Sequence, residues 1–234
     1  MPSDRPDEQR DELDLGVAGA SARREMARRR ANRERRTRER HRLVGGALLA
    51  VRDAPAHERV WGTGAGGERA TALFLAERCP DALVLHDRQI PGRRANIDHI
   101  AVAPGGVYVI DSKRYKNRKI RVATPLVGSQ KLLVDGRDRT KLVDGLLRQV
   151  DVVSEVLSAV APGVPVRGVF CFIDADVPLL GTPTIRQLAV MNRRRLARRL
   201  RRNGPLGHDR IREIASELPH RLPAYSPPSP RVGR

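Results

Sequence analysis

Two acids and a lysine stand near the outer ends of neighbouring apolar runs: Asp98 in Ile97–Val102 (IDHIAV), and Asp111 with Lys113 in Val107–Lys113 (VYVIDSK). Ala103-Pro104-Gly105-Gly106 separates the runs, and a Pro-Gly pair between apolar segments predicts a hairpin. With the turn centred between Pro104 and Gly105, Asp98 falls opposite Asp111. Opposed residues of an antiparallel pair share a face, as do residues two apart on one strand, so Asp98, Asp111 and Lys113 should project from one side. Two carboxylates held about 5 Å apart at their Cβ atoms repel each other. A divalent cation removes the conflict, because Mg²⁺ takes one or two carboxylates, keeps several waters and shares its shell with phosphate oxygens. Lys113, one pleat further on, would then orient an attacking water or steady a phosphoryl oxygen. The chemistry expected is metal-assisted phosphodiester hydrolysis, with Asp98 and Asp111 holding Mg²⁺ or Mn²⁺ and a backbone carbonyl near Ser112 as a third ligand. In the competing reading all three residues are solvated strand-end groups.

The elements that must hold these groups can be read outward from the hairpin. Ile97, Ile100, Val102, Tyr108, Val109 and Ile110 put apolar residues on both faces of the two strands, which predicts a sheet covered on both sides. Gly62–Gly67 (GTGAGG) punctuates the chain, and GERATALFLAERC then reads as a helix with Glu68 in its first turn, where a carboxylate meets the helix dipole favourably. Ala82–His86 (ALVLH) reads as a short strand, followed by the turn-rich loop DRQIPGRRAN. Downstream, Lys119–Val122 and Leu132–Val134 read as short strands. Thr140–Val160 places Leu142, Leu146, Val150, Val153, Leu157 and Val160 on one arc of a helical wheel, which predicts a core-facing helix. Val164–Ile173 (VPVRGVFCFI) is a buried strand, Gln187–Arg202 an Arg-loaded helix, and residues 209–218 a short helix before a Pro-rich tail.

Composition limits the rest. A chain of 234 residues suits one globular domain with tails, and with aromatics at 3% its core must be built from Val, Leu, Ile and Ala. The net charge of +18 is concentrated in flanks: Ala22–Arg42 holds 11 Arg against 3 Glu, and residues 186–234 hold 13 Arg against 3 acids. Such flanks favour polyanions, nucleic acid first among them. The plainer reading is a coding bias, since 40 of the 45 basic residues are Arg, with the runs as solvated helix faces. Residues 1–21 are acidic and lack an apolar period, so disorder is expected there. Residues 22–42 read as a charged helix with almost no stripe to dock it. Cys79 and Cys171 lack zinc spacing and read as reduced, buried thiols. The nine apolar residues Leu43–Val51 are too few to span a bilayer, so no membrane association and a cytoplasmic location are expected.

Gly67-Glu68, IPGRRANIDHIAVAPGGVYVIDSKRY, GRDRTKLVDGLLRQV and VRGVFCFIDADVP together resemble the nuclease-related domain, the NERD family, a branch of the restriction-endonuclease-like PD-(D/E)XK superfamily. The resemblance covers about residues 61–180. It implies an α/β fold, a restriction-endonuclease-like mixed central sheet flanked by helices. Around that domain stand a charged arm at 1–60, disordered or helical, and an Arg-rich helical extension with a Pro-rich tail at 181–234. It puts Asp98 and the Asp111-Ser112-Lys113 triplet at the superfamily's metal-binding and catalytic positions, Glu68 at its first-helix acid, and Gln149 at a polar position on the helix after the core sheet. Two departures stand out: Ile97-Asp98 replaces the usual Pro-Asp, and Asp111 replaces the commoner Glu. Both keep the carboxylate. Read without the family, Glu68 is equally a first-turn acid stabilising its helix, and Gln149 a buried amide bonded to backbone. His99 alternates with Asp98 and should face the other way, and His86 is similar, so neither joins the metal site. Trp61 and Phe74 are too isolated to form a base-stacking platform.

The expected function is therefore a Mg²⁺-dependent nuclease acting on DNA. Backbone contacts would come from the arms 22–42 and 186–202, including Arg193, Arg194 and Arg198, and from Arg114, Lys116, Arg118 and Lys119 beyond the catalytic strand. The alternative is a nuclease-fold module that binds nucleic acid or recruits other factors without cutting, and a weaker third reading is a protein-interaction domain. Removal of residues 1–60 should weaken DNA binding and leave folding intact.

Overall fold

A computed structural model describes residues 13–25, 27, 31–32, 35, 56–93, 95–178 and 181–224. In chain order the main elements are α1 (Ala56–Arg78), β1 (Leu83–Gln89), β2 (Asn96–Ala103), β3 (Gly106–Arg114), β4 (Ile120–Ala123), β5 (Lys131–Val134), β6 (Arg137–Asp138), α2 (Lys141–Val160), β7 (Val166–Ile173), β8 (Thr184–Ile185), β9 (Leu188–Asn192), α3 (Arg193–Leu200) and α4 (His208–Arg221). Six strands form one mixed sheet in the order β1-β2-β3-β7-β9-β8, and β4-β5-β6 form a small second sheet. The β2–β3 hairpin pairs Ala103 with Gly106 and Val102 with Val107 through to His99 with Ile110, the register that the Pro104-Gly105 turn predicts. β3 and β7 then run parallel, from Val107 beside Val166 to Arg114 beside Ile173.

Alternation along the strands feeds two apolar layers. Ile100, Val102, Val107, Val109, Phe170 and Phe172 pack with Val143, Leu146, Val153 and Leu157 of α2 and with Ile211, Ile214 and Leu218 of α4. Ala101, Ala103, Tyr108, Ile110, Val169 and Cys171 pack on the other face with Leu75 and Cys79 of α1 and Leu196, Ala197 and Leu200 of α3. The sheet is thus covered on both sides, by small and branched side chains. Gly168 lets α2 lie close on β7, since a Cβ there would stand 2.2 Å from Leu188 Cδ2 and 2.8 Å from Val150 Cγ2. No helix among the described residues is long and apolar enough to cross a membrane.

Several expectations need correction. The glycine run 62–67 does not break the chain: α1 starts at Ala56 and runs through it. Glycine costs a helix about 1 kcal/mol per residue but does not forbid it, and at Gly67 the missing side chain serves packing, because a Cβ would sit 3.3 Å from both Arg114 Cβ and Ile173 Cδ1. The Arg-loaded helix expected over Gln187–Arg202 begins only at Arg193, as Leu188–Asn192 is strand β9, paired with β7 and β8. The sheet therefore continues past residue 180, where the sequence suggested a boundary. Nor are all of residues 1–21 without structure. Residues 13–25 lie against the outer edge of β1: His86 N donates to Leu15 O (2.7 Å), and Ala18 and Ala22 are buried. Gln89 N donates to Pro223 O (2.9 Å), so both ends of the described chain cover this edge strand. Residues 1–12, most of the basic arm 22–42, the run Leu43–Val51 and the side chain of Trp61 lie outside the described residues.

Candidate active site

The site is built where the β2–β3 ladder ends. One step beyond the His99–Ile110 pair, Asp98 and Asp111 stand across from each other. Instead of continuing the ladder, Asp98 Oδ2 accepts a hydrogen bond from Ser112 N at 3.0 Å. Lys113 Nζ forms an ion pair with Asp111 Oδ1, so all three predicted groups meet on the face that carries Val109 and Phe170. Asp111 is buried, and Lys113 has 31% of its side chain exposed. Charges at this depth without partners would be costly; paired and hydrogen-bonded they are tolerated.

Glu68 comes from α1, in the opposite layer. It lies more than three turns inside that helix, beyond the reach of the terminal dipole, so helix-end stabilisation does not account for it. Thr71, one turn on, shares its face and is within hydrogen-bond distance of Ser112 (Oγ to Oγ1, 3.3 Å), pinning α1 to the residue between Asp111 and Lys113. Glu68 itself is buried and its Oε2 has no partner. Burial, then the negative charges of Asp98, Asp87 and Asp111, push its carboxyl up to about 9 despite Lys113. Burial and Asp111 likewise raise Asp98 to about 7, against the pull of Lys113 and the Ser112 amide. For Lys113 burial would lower the pKa, but Asp111 and Asp98 outweigh it and hold the ammonium above its ordinary value. The site thus holds more acid than one lysine neutralises.

Gln149 reaches the same region from α2. Its Nε2 donates to Asn96 O (3.4 Å), as a buried amide should, yet its Oε1 is buried without a partner. His99 is fully buried; its Nδ1 is hydrogen-bonded to His86 Nδ1 (2.8 Å), and its Nε2 has no partner among the described residues. Burial lowers His86 to about 4 and His99 well below the usual imidazole range.

Asp87, read from sequence as part of a loop, belongs to the site's surroundings. It lies in β1 across from Asp98, at φ +53, between the His86–His99 and Arg88–Ile97 pairs. Its carboxylate accepts from Asn96 Nδ2 (2.6 Å) and Ser21 N, which ties the N-terminal segment to the start of β2. The adjoining Arg88 is fully buried and paired to Asp14 (2.8 Å). An acid next to a basic residue just past an apolar run is common in exposed turns, so nothing in the sequence distinguishes Asp87.

The basic residues divide. Arg114 pairs with Asp174 (2.7 Å) and Arg118 with Asp135 (2.6 Å), while Arg193 lies 4.0 Å from Asp174. Lys116 and Lys119 line a cleft with Asn117, Asp174 and Asp176 beyond the end of β3. Arg194 and Arg198 face a groove between α1 and α3. Among the described residues no group of three or more His, Cys, Asp or Glu is placed to cage a metal ion.

No curated protein and no solved structure matches the chain. Residues 63–173, which carry Glu68, Asp98, Asp111, Lys113 and Gln149, match the family model NERD, the nuclease-related domain.

Proposed function

We propose that the protein is a divalent-metal-dependent nuclease that hydrolyses phosphodiester bonds in DNA. One observation carries the reading: Asp98, Asp111 and Lys113 converge at the sheet's end beside a buried Glu68 whose Oε2 lacks a partner. The residues fit a hard cation. Mg²⁺ needs only one or two carboxylates and completes its shell with water and phosphate oxygens, so a cage of three acids is not required. The surplus negative charge that lifts Glu68 and Asp98 is what a cation would offset. Asp98 and Asp111 would hold it, and when bound it would supply Lewis-acid polarisation of the phosphoryl group. Lys113, kept charged by its neighbours, cannot serve as a base; it donates hydrogen bonds to a phosphoryl oxygen or to the attacking water. Glu68 and Gln149 present free acceptors that orient that water. In the reaction the water oxygen bonds phosphorus as one ester P–O bond breaks, and the proton that the water gives up ends on the departing ester oxygen, leaving a phosphate monoester end and a hydroxyl end. Lys116, Lys119 and Arg118 would hold the backbone beyond β3, with Arg114, Arg193, Arg194 and Arg198 continuing toward α3.

A non-cutting binding or recruiting module is the second reading, favoured by the direct Lys113–Asp111 pair, which satisfies both groups without a metal. Purified protein incubated with plasmid and linear DNA, in Mg²⁺, Mn²⁺ or chelator, separates the two. Metal-dependent cleavage that disappears in Lys113→Ala while binding persists supports hydrolysis. Binding without cleavage by either protein under every metal condition refutes it.

A further inference from the structure

We propose that the groove between α1 and α3 is a second binding site for a nucleic-acid backbone, guiding the strand away from the carboxylates. Its floor is Phe74, half-buried, and its walls are Arg78, Arg194, Ala197, Arg198 and Arg201. Arg194, Arg198 and Arg201 follow at i, i+4 and i+7, a stripe about 10 Å long on one side of α3. None of these three has an acidic partner among the described residues, while Arg78 pairs only with its neighbour Glu77 (3.3 Å). Phe74 sets the guanidinium positions: Arg193 lies 5.4 Å and Arg78 6.0 Å from the ring centroid. The ring is thereby occupied by cations, which leaves phosphate, not base, as the group the groove recognises. Guanidinium forks suit phosphate oxygens, and such contacts fix position without reading sequence.

The groove lies on the sheet face opposite Asp111 and Lys113, because α1 and α3 pack on the layer of Ile110 and Cys171. A link runs between the two. Arg114 alternates with Lys113 and therefore turns toward α1; it and Arg193 both reach Asp174, at 2.7 and 4.0 Å, and Arg193 adjoins Arg194. A strand whose phosphate meets Lys113 can thus cross the end of β3 over Arg114 and settle along α3.

The inference rests on the nucleic-acid part of the proposed function and not on hydrolysis, so the test is binding in chelator, where no cutting can occur. The full chain is titrated with fluorescent single-stranded DNA, duplex DNA and RNA of one sequence over a range of salt. The triple variant Arg194→Gln/Arg198→Gln/Arg201→Gln should lower the slope of log K against log salt by about 2–3, at roughly 0.7–0.9 per lost phosphate contact, with its melting temperature kept. Should the triple variant melt early, Arg198→Gln alone is read, with a decrease of about 1 expected. A wild-type slope in the variants overturns the proposal. So does a wild-type protein that ignores all three nucleic acids but binds anionic vesicles or an acidic peptide. Intact slopes that fall in the variants, beside absent Mg²⁺-dependent cleavage, support the groove and refute hydrolysis alone.

Discussion

Replacing Glu68 by Gln should stabilise the metal-free protein, and increasingly so as pH rises. Glu68 is buried among acids and its carboxyl titrates near 9 instead of 4.5. An acid whose folded pKa is raised keeps its proton in the native state while the unfolded chain ionises, so stability is lost as pH climbs from the unfolded value through the folded one. At 1.36 kcal/mol per unit, the penalty is roughly 1 kcal/mol at pH 5 and roughly 3 at pH 7, and it still grows toward pH 9. Asp98, raised from 3.8 to about 7, acts with the same sign in both proteins. Glutamine keeps the shape and carries no proton to lose. The gap in melting temperature between Glu68→Gln and wild type should therefore widen by about 5–10 °C from pH 5 to pH 7 in chelator, at 2–4 °C per kcal/mol for a chain of this size. Mg²⁺ should close part of that gap at pH 8, because a cation that binds the native state stabilises it and favours ionised carboxylates. Thermal denaturation followed by circular dichroism measures both effects. A gap independent of pH would refute the electrostatic account of the site; a pH-dependent gap indifferent to Mg²⁺ and Mn²⁺ would refute the metal reading while leaving the crowding of acids intact.

Other consequences are more local. Truncation to residue 56 should cost stability, contrary to the reading of 1–60 as a dispensable arm, because it takes Asp14 from Arg88 and uncovers the outer edge of β1, whereas truncation to residue 13 should be nearly neutral in denaturant melts. Asp87→Ala should free the segment around Ser21, seen as faster proteolysis ahead of residue 25, with a loss of roughly 1–3 kcal/mol from the unsatisfied Asn96 amide and Ser21 N–H. Gly168→Ala should destabilise by about 1–3 kcal/mol, as its Cβ would overlap Leu188 and Val150. His86, held near 4, should make stability fall as pH drops from about 6.5 toward 4, since the unfolded chain then takes up a proton the native state refuses; His86→Phe should flatten that limb of the melting curve.

What could be read in advance was what local rules decide. The hairpin register follows from a two-residue turn and strand alternation, and with it the meeting of Asp98 and Asp111. The arc of Leu146, Val153 and Leu157 sufficed for α2. What escaped depends on tertiary contact. Leu188–Asn192 is a short apolar run beside a block of arginines, and only pairing with β7 makes it a strand. Residues 13–25 are held by a backbone bond to β1, by the side chain of Asp87 and by Arg88, distant partners that their own sequence does not encode. Asp87 gains importance from a left-handed backbone and two distant partners, neither of which its neighbours in sequence encode.

The alternation that hides Glu68 from sequence spacing also explains how it comes to the site. Asp111 and Lys113 point toward the layer of α2, Ser112 and Arg114 toward that of α1, so the last turn of pleat in β3 addresses both layers at once. Ser112 holds Thr71, and Gly67, lacking a side chain, lets α1 settle against Arg114 and Ile173 at the strand ends. Glu68 sits between these two anchors. Its depth in the acid field is therefore set by the approach of a helix to a strand end, and a methyl group added at Gly67 would push that helix out by a few tenths of an ångström. The carboxyl of Gly67→Ala should then titrate below 9 while Asp98 and Asp111 stay in place. A fall in the Glu68 pKa with Asp98 little changed, followed by carboxyl-carbon NMR, would show that the approach of the helix tunes the acid; an unmoved Glu68 would refute that account.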